Sequence, residues 1–331
     1  MSLTYKKAGV NIDAGEEVVH RIRKTVRSTF TKHVLTDIGM FGAFYEAKFP
    51  KIKNPVLVSS VDGVGTKLKI AFLMKRYDTV GQDLVNHCVN DIAVCGATPL
   101  FFMDYFATGK LSPTIAANVI GGFAKACKEN GCSIIGGETA EMPGFYSDGE
   151  FDLAGTIVGV VDKENIVNGK EIEQGDVLIG LPSTGLHTNG YSLARRVLIP
   201  TFSLRKKFAE LEGTLGDALL AVHRSYLKPI QALTSKHLVK GMSHITGGGI
   251  IGNTMRIIPK GLSLKIDWFA WQRPFIFDLI QSVGQVPEYD MTRTFNVGVG
   301  LVVIVAKKNV DKALRILKRQ KEKPFVMGEV V

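Results

Sequence analysis

Four short segments of the first half carry carboxylates, two of them beside glycines. Asp62 precedes Gly63-Val64-Gly65-Thr66-Lys67, Asn90-Asp91 and Asp104 follow, and Glu138 and Glu141 lie in Gly136-Gly137-Glu138-Thr139-Ala140-Glu141. Acids at strand ends are hard oxygen ligands, and Mg²⁺ commonly bridges one or two of them to the phosphates of a nucleotide. Several such acids next to a glycine loop and a lysine make up the donor set of a Mg-ATP site. Each acid alone also has a structural reading. Asp91 shares a helix face with Asp83 and His87, Asp104 can end a strand, and Glu138 and Glu141 can cap a turn. The glycine pair before Glu138 and Pro143-Gly144 after Glu141 favour an exposed, shaped loop. The chain has no Walker A motif, which excludes a standard P-loop.

Two further segments group polar side chains with glycines. Gly247-Gly248-Gly249-Ile250-Ile251-Gly252 matches G-x-G-x-x-G. A dinucleotide fingerprint needs a buried strand before it and a long helix after it. Lys236 to His244 reads as too polar for the first, and Pro259 interrupts the second. A glycine run with unengaged amides still suits an anion; a tight turn without ligand is the structural alternative. Ser183-Thr184-Gly185-Leu186-His187-Thr188-Asn189-Gly190-Tyr191 gathers hydroxyls, an amide and an imidazole, which can orient a polar substrate or move a proton. Ser183 lies on no nucleophile elbow. A helix cap by Thr188 or Asn189 is the alternative there.

The elements that must hold these groups follow from apolar patterning. Pro55 to Asp62 reads as a buried strand opening into the Gly63–Lys67 turn, and Leu100 to Ala107 as a second strand carrying Asp104. Helices are predicted from Glu16 to about Phe30, from Gln82 to Cys95, and from Pro113, capped by Ser112, to Gly131. Further strands are predicted at Ser133–Gly137 and Asp152–Val161. A polar stretch from Asn165 to Gly175 divides the chain into residues 1–168 and 169–331. The second part is predicted to hold strands at Asp176–Leu181, Val297–Val305 and Lys323–Met327. Its predicted helices are Tyr191–Leu198, Leu215–Ala232 and Pro274–Val283. Irregular mixing of strands and helices points to an α+β protein of two mixed domains, the first with a ferredoxin-like strand–helix pattern.

The 331 residues are 45% hydrophobic and 22% charged, an ordinary globular balance that excludes collagenous, disordered and disulfide-scaffold classes. Residues 1–168 carry 18 basic and 18 acidic side chains and residues 169–331 carry 23 and 13, so the whole net charge of +10 lies in the second part. That excess fits a phosphorylated small molecule, a nucleic acid or a solvated lysine face. Aromatic residues do not alternate with the basic ones at Lys307 to Lys323, which argues against a single-strand stacking platform. The apolar run Val297–Ala306 is too short to span a bilayer, so no membrane association is expected. The four cysteines show no C-x-x-C spacing, and a cytoplasmic location is expected.

Long ordered motifs resemble the phosphoribosylformylglycinamidine cyclo-ligase (AIR synthetase) family. They are Ser59-Ser60-Val61-Asp62-Gly63-Val64-Gly65-Thr66-Lys67, Gly81 to Asn86 through Val89-Asn90-Asp91-Ile92, and Gly136 to Gly144, followed by Gly185 to Ser192, His244-Ile245-Thr246-Gly247-Gly248-Gly249 and Thr294-Phe295-Asn296. Departures are mild: Asn11 stands where the family often has Asp, and Thr184 and Thr188 replace serines. The resemblance implies ATP-dependent closure of formylglycinamidine ribonucleotide to 5-aminoimidazole ribonucleotide, with ADP and phosphate released. It implies Mg²⁺ on Asp62, Asp91, Glu138 and Glu141, and ATP contacts from Asp13, Gly63, Gly65, Thr66, Lys67, Asn90, Asp104, Gly137 and Thr139. Asp62, Lys67, Asp91 and His187 are the implied catalytic residues. The ribonucleotide is assigned to His187, Asn189, Thr246, Gly247, Gly248, Gly249 and Asn296, in the basic second domain. A homodimer through first-domain strands, with Val56–Val61 and Leu100–Ala107 as edges, is also implied. Related ATP-dependent enzymes and a basic nucleic-acid-binding protein are the alternatives. A selenide dikinase would carry Cys near the N-terminus and the hydrogenase maturation factor one at the C-terminus, whereas the first Cys here is Cys88 and the chain ends Glu329-Val330-Val331.

Overall fold

A computed structural model describes residues 4–331. The chain divides into two compact units. Unit 1 holds the described residues up to Ile92 together with Thr98–Val160, and unit 2 holds Ala93–Ala97 and Val161–Val331. The passage into the second unit falls at Val161, ahead of the polar stretch around Gly169.

Unit 1 runs α1 (Ile12–Arg27), β1 (Pro55–Gly63), α2 (Leu68–Met74), α3 (Asp78–Ala93), β2 (Thr98–Thr108), α4 (Pro113–Asn130), β3 (Ser133–Glu141) and β4 (Phe151–Asp162). The sheet order is β1-β4-β2-β3, with β2 parallel to β3 and antiparallel to β4. After α1 the order is βααβαββ rather than the βαββαβ of a ferredoxin-like unit, within the expected α+β mixing of strands and helices. Strand β2 is interior, so Leu100–Ala107 supplies no edge; β1 and β3 are the edges. The Gly136–Glu141 motif, expected as a loop, lies within β3. The reason is the parallel ladder: each residue from Gly136 to Glu141 has a partner on β2 between Met103 and Thr108.

Helix α4 begins where Ser112 Oγ accepts the Ile115 amide and Pro113 occupies the first turn, and it ends at Gly131, φ +68°. It packs on β2 and β3, and α1 packs on α4 and β3. Helices α3 and α4 touch backbone to backbone. A Cβ on Gly81 would stand 2.2 Å from Val119 O, and one on Gly122 would stand 2.2 Å from Asp78 O. Only glycine permits that approach, and it seats α3, the helix that carries Asp83, His87 and Asp91.

Unit 2 runs β5 (Val177–Pro182), α5 (Tyr191–Leu198), α6 (Leu215–Leu219), α7 (Leu227–Thr234), β6 (Val239–His244), α8 (Gly249–Thr254), β7 (Leu264–Ile266), α9 (Phe275–Gly284), α10 (Glu288–Thr294), β8 (Val299–Val305), α11 (Val310–Arg319) and β9 (Phe325–Val330). The sheet order is β6-β8-β5-β9-β7, and neighbouring strands pair antiparallel. Strand β8 is buried at every position, as its continuous apolar run demands. The expected helix Leu215–Ala232 is two helices, because Pro229 cannot sit in a helix interior and a new helix starts at Leu227 with that proline in its first turn. Between them lies the irregular segment that carries His223. Strand β6 is polar for a buried strand, yet, against the expectation from its polarity, its last four residues are buried.

Candidate active site

In unit 1, β1 delivers Asp62 to its end and α3 presents Asp83, His87 and Asp91 at i, i+4 and i+8 on one face. His87 Nε2 lies 2.9 Å from Asp62 Oδ2 and 3.9 Å from Asp91 Oδ2, and Ser60 Oγ donates to Asp91 Oδ2 at 3.1 Å. Burial opposes charge on both partners of the Asp62–His87 pair. Their mutual attraction and hydrogen bond prevail, lowering Asp62 and raising His87 from their ordinary values. Gly65, φ +65°, turns the chain beyond Asp62 and leaves itself and Thr66 exposed. His87 reads in the sequence only as a polar helix neighbour of Asp91. The i, i+4, i+8 spacing with Asp83 and Asp91 was the available signal.

Lys67 does not face that turn. It is fully buried with Nζ 2.8 Å from Asp83 Oδ2, and both side chains have zero exposure. Burial pulls the ammonium below its ordinary value against the opposing pull of Asp83. The expectation that Lys67 adds charge to a triphosphate is corrected to a buried structural pair. Asn90 is also fully buried.

The second group of acids lies elsewhere in unit 1. Three interstrand spacings of ~4.8 Å separate β1 from β3, roughly 14 Å, so Asp62 and Glu138 are on opposite edges. A cavity of about 650 Å³ opens beside β3, lined by α1, the Asp37–Ala43 segment, Asp104, Gly137, Glu138 and Thr139. Asp104 pairs with Gly137 in the ladder, and a Cβ there would stand 2.3 Å from Asp104 Oδ1. Burial, with Glu138 adding to it, pushes the Asp104 carboxyl up to about 7. Glu141 is no ligand-in-waiting: Oε1 accepts the Leu111 amide at 2.7 Å and Oε2 the Asn11 amide at 2.5 Å. Asp13 is largely exposed, with Lys6 Nζ at 3.6 Å. The four candidate acids therefore do not gather at one place: Asp62 and Asp91 lie beside His87, Glu138 stands on the opposite edge strand, and Glu141 is tied to the Leu111 and Asn11 amides.

In unit 2 the expected substrate residues do converge. Strand β6 ends at His244 and leads into Thr246–Gly249, where Gly248 has φ +101° and a Cβ on Gly247 would lie 3.0 Å from Asn189 Oδ1. A Cβ on Gly249 would lie 1.8 Å from Thr292 O. Asn253 pins this loop: its Nδ2 donates to the carbonyls of Thr246, Gly247 and Gly249, and its Oδ1 accepts from Thr246 Oγ1. Asn296 plays the same part for the other loop. Its Oδ1 accepts from Ser183 Oγ and the Gly298 amide, and its Nδ2 donates to Gly185 O. Asn296 is buried in those ties, so its place is behind the loop rather than on a ligand. His187 is buried in left-handed backbone, φ +61°, and the Thr184 amide donates to its Nε2 at 3.2 Å. Residues other than glycine are uncommon at such a φ.

Comparison with known proteins agrees with this division. Residues 46–161 match the N-terminal domain, and residues 173–331 the C-terminal domain, of AIR synthase related proteins. Thiamine-monophosphate kinase from Stenotrophomonas maltophilia has the same fold, with a TM-score of 0.67 at 15% identity over 95% of this chain and 93% of that one. So does a hydrogenase maturation protein HypE solved in complex with ATP, with a TM-score of 0.66 at 17% identity over 94% and 85%. Fold and site thus define an AIR synthase related protein. Phosphoribosylformylglycinamidine cyclo-ligase from Thermoanaerobacter pseudethanolicus is 54% identical over 99% of this chain and 98% of its own. The Trichlorobacter lovleyi enzyme of that name is 50% identical over 99% and 94%. The chain belongs to the phosphoribosylformylglycinamidine cyclo-ligase family.

Proposed function

We propose that this chain closes formylglycinamidine ribonucleotide to 5-aminoimidazole ribonucleotide at the expense of ATP, releasing ADP and phosphate, in purine biosynthesis in the cytoplasm. The observation that carries the reading is the end-to-end identity with cyclo-ligases, which spans both units. An amide oxygen is a poor leaving group. Phosphorylation by ATP makes it a good one, the amidine nitrogen attacks the activated carbon, and the C–O bond breaks with release of phosphate.

Unit 1 is assigned to ATP and unit 2 to the ribonucleotide. ATP is supported by the cavity beside Gly137 and Thr139 and by the exposed Gly65–Thr66 turn. Asp62, Asp91 and the Ser60 hydroxyl form a hard-oxygen set around His87 Nε2, and they would hold Mg²⁺ in place of the imidazole proton that pairs with Asp62 here. Mg²⁺ bound there would neutralise phosphate charge. In unit 2 the Thr246–Gly249 loop receives the 5′-phosphate at Thr246 and Gly247, because the amides of Gly248 and Gly249, expected to be unengaged, donate to Arg293 O at 3.1 Å and Thr246 O at 3.2 Å, and Asn189 and His187 orient the rest of the substrate. Homodimerisation is supported by the open face of the four-stranded sheet. Leu57 and Val61 there are 65% and 67% exposed, and Met103 and Tyr105 stand on the same sheet. Light scattering at micromolar concentration should give twice the 36.1 kDa chain mass; a monomer would remove this part.

The test of the reaction is incubation of the purified protein with Mg-ATP and formylglycinamidine ribonucleotide, following ADP and the aminoimidazole product together. ADP without the aminoimidazole would overturn the assignment.

A further inference from the structure

Unit 2 buries three imidazoles together. His187, His223 and His244 are 1%, 0% and 6% exposed, and one nitrogen of each lies within 4.8 Å of the others. The interior of β8 makes room for them. A Cβ on Gly300 would stand 2.6 Å from His187 Cε1 and 2.0 Å from Tyr226 Oη.

A metal centre and a hydrogen-bonded chain are the two arrangements such a group could serve. An imidazole binds a metal through a lone pair that lies in its ring plane, so the ion must lie near the plane of every ring that binds it. His187 and His223 are stacked, with centroids 4.0 Å apart and planes 14° from parallel. No position close to both nitrogens satisfies both planes. The contact between His223 and His244 is instead that of a hydrogen bond, Nε2 to Nε2 at 2.9 Å. Such a bond requires a proton on one nitrogen and a lone pair on the other. On its far side, His223 Nδ1 faces Thr188 Oγ1 at 3.4 Å.

We propose that His223 is a positioning residue for ring closure, acting through a polarised chain Thr188–His223–His244 while its ring face fixes the plane of His187. If His223 Nε2 donates, its Nδ1 accepts the Thr188 hydroxyl proton and neutral His244 keeps its proton on Nδ1. If His244 Nε2 donates, His223 keeps its proton on Nδ1 and directs it at Thr188. In either polarity one of the two rings is the Nδ1–H tautomer and the other the Nε2–H tautomer. One shared proton thereby links the segment ending in Asn189 to the segment that opens the Thr246–Gly249 loop. The kinetic consequence rests on the assignment of unit 2 to the ribonucleotide, whereas the tautomer pairing does not.

The experiment uses the full chain labelled with ¹⁵N-histidine, at about pH 8, above the ordinary histidine value. Two-bond ¹⁵N–¹H spectra should show one Nδ1–H and one Nε2–H ring for this pair. With folding checked by circular dichroism, H223F should lower kcat about tenfold or more without changing KM for ATP, since it keeps the stack but loses the bond. H223Q, whose amide can still bridge to His244, should recover most of that loss. Two Nε2–H rings in the wild-type protein, or stoichiometric Zn²⁺ uptake that H223Q abolishes, would overturn the chain. Unchanged kcat in H223F would overturn the positioning role. Absence of ring closure by the wild-type protein would instead overturn the assigned reaction and leave the tautomer result standing.

Discussion

Replacement of Lys67 separates a structural role from a nucleotide-binding one. The ammonium and the Asp83 carboxylate are 2.8 Å apart with no exposure on either side chain. Lys67→Met keeps the apolar stem and removes the charge that offsets the fully buried Asp83 carboxylate. Breaking a buried pair by deleting one partner costs about 3–5 kcal/mol, most of it the penalty of the stranded charge. At roughly 2–4 °C per kcal/mol for a domain of this size, the unfolding midpoint should fall on the order of 6–20 °C. The double variant Lys67→Met/Asp83→Leu should regain most of the loss, because replacing both partners by apolar groups is often neutral. The assay is thermal unfolding of the wild type, both single variants and the double variant as a cycle, beside KM for ATP at a temperature where all are folded. A Lys67→Met midpoint within a degree or two of wild type, with KM for ATP strongly raised, would refute the buried-pair account and restore Lys67 to the triphosphate.

Asp62→Asn and Asp91→Asn should each lower kcat by orders of magnitude with unchanged circular dichroism, measured as ADP release under saturating substrates. Gly248→Val places a β-branched residue at φ +101°, with open space around its Cβ apart from Asn253 Nδ2 at 3.8 Å. It should raise KM for the ribonucleotide and leave KM for ATP nearly unchanged, as separate titrations would reveal. The Asp62–His87 pair predicts a pH window in metal-free buffer. The lowered carboxylate contributes stability above its ordinary value near 3.9, lost as pH falls through the folded value. The raised imidazole contributes below its ordinary value near 6.5, lost as pH rises through its folded value. The midpoint difference between wild type and His87→Gln should therefore be largest between about pH 4 and 6.5 and shrink as pH rises, and a difference that grows with pH would contradict it.

The legible parts of this chain are those in which a local rule and a tertiary need coincide. Ser112-Pro113 and Gly131 bound α4 because caps act on backbone groups within a turn of themselves. Strand β8 reads directly, since a strand buried on both faces must be apolar throughout. The Gly136–Glu141 motif has the composition of a loop but forms a strand at a sheet edge, because its parallel partner β2 is distant in sequence. The polarity of β6 misled for a related reason: Ser243 and His244 are buried by partners, His244 by His223, that no window of neighbours contains. The acids divide by the same logic. Residue types alone allowed four carboxylates around one cation, but the β1-β4-β2-β3 order is a long-range property, and it sends Asp62 and Glu138 to opposite edges. Glu141 and Asn296 carry the lesson furthest. Each has the chemistry of a ligand contact and spends it on backbone amides or loop carbonyls, so residue type marks where the polar groups are, and hydrogen-bond partners decide which remain for the substrate.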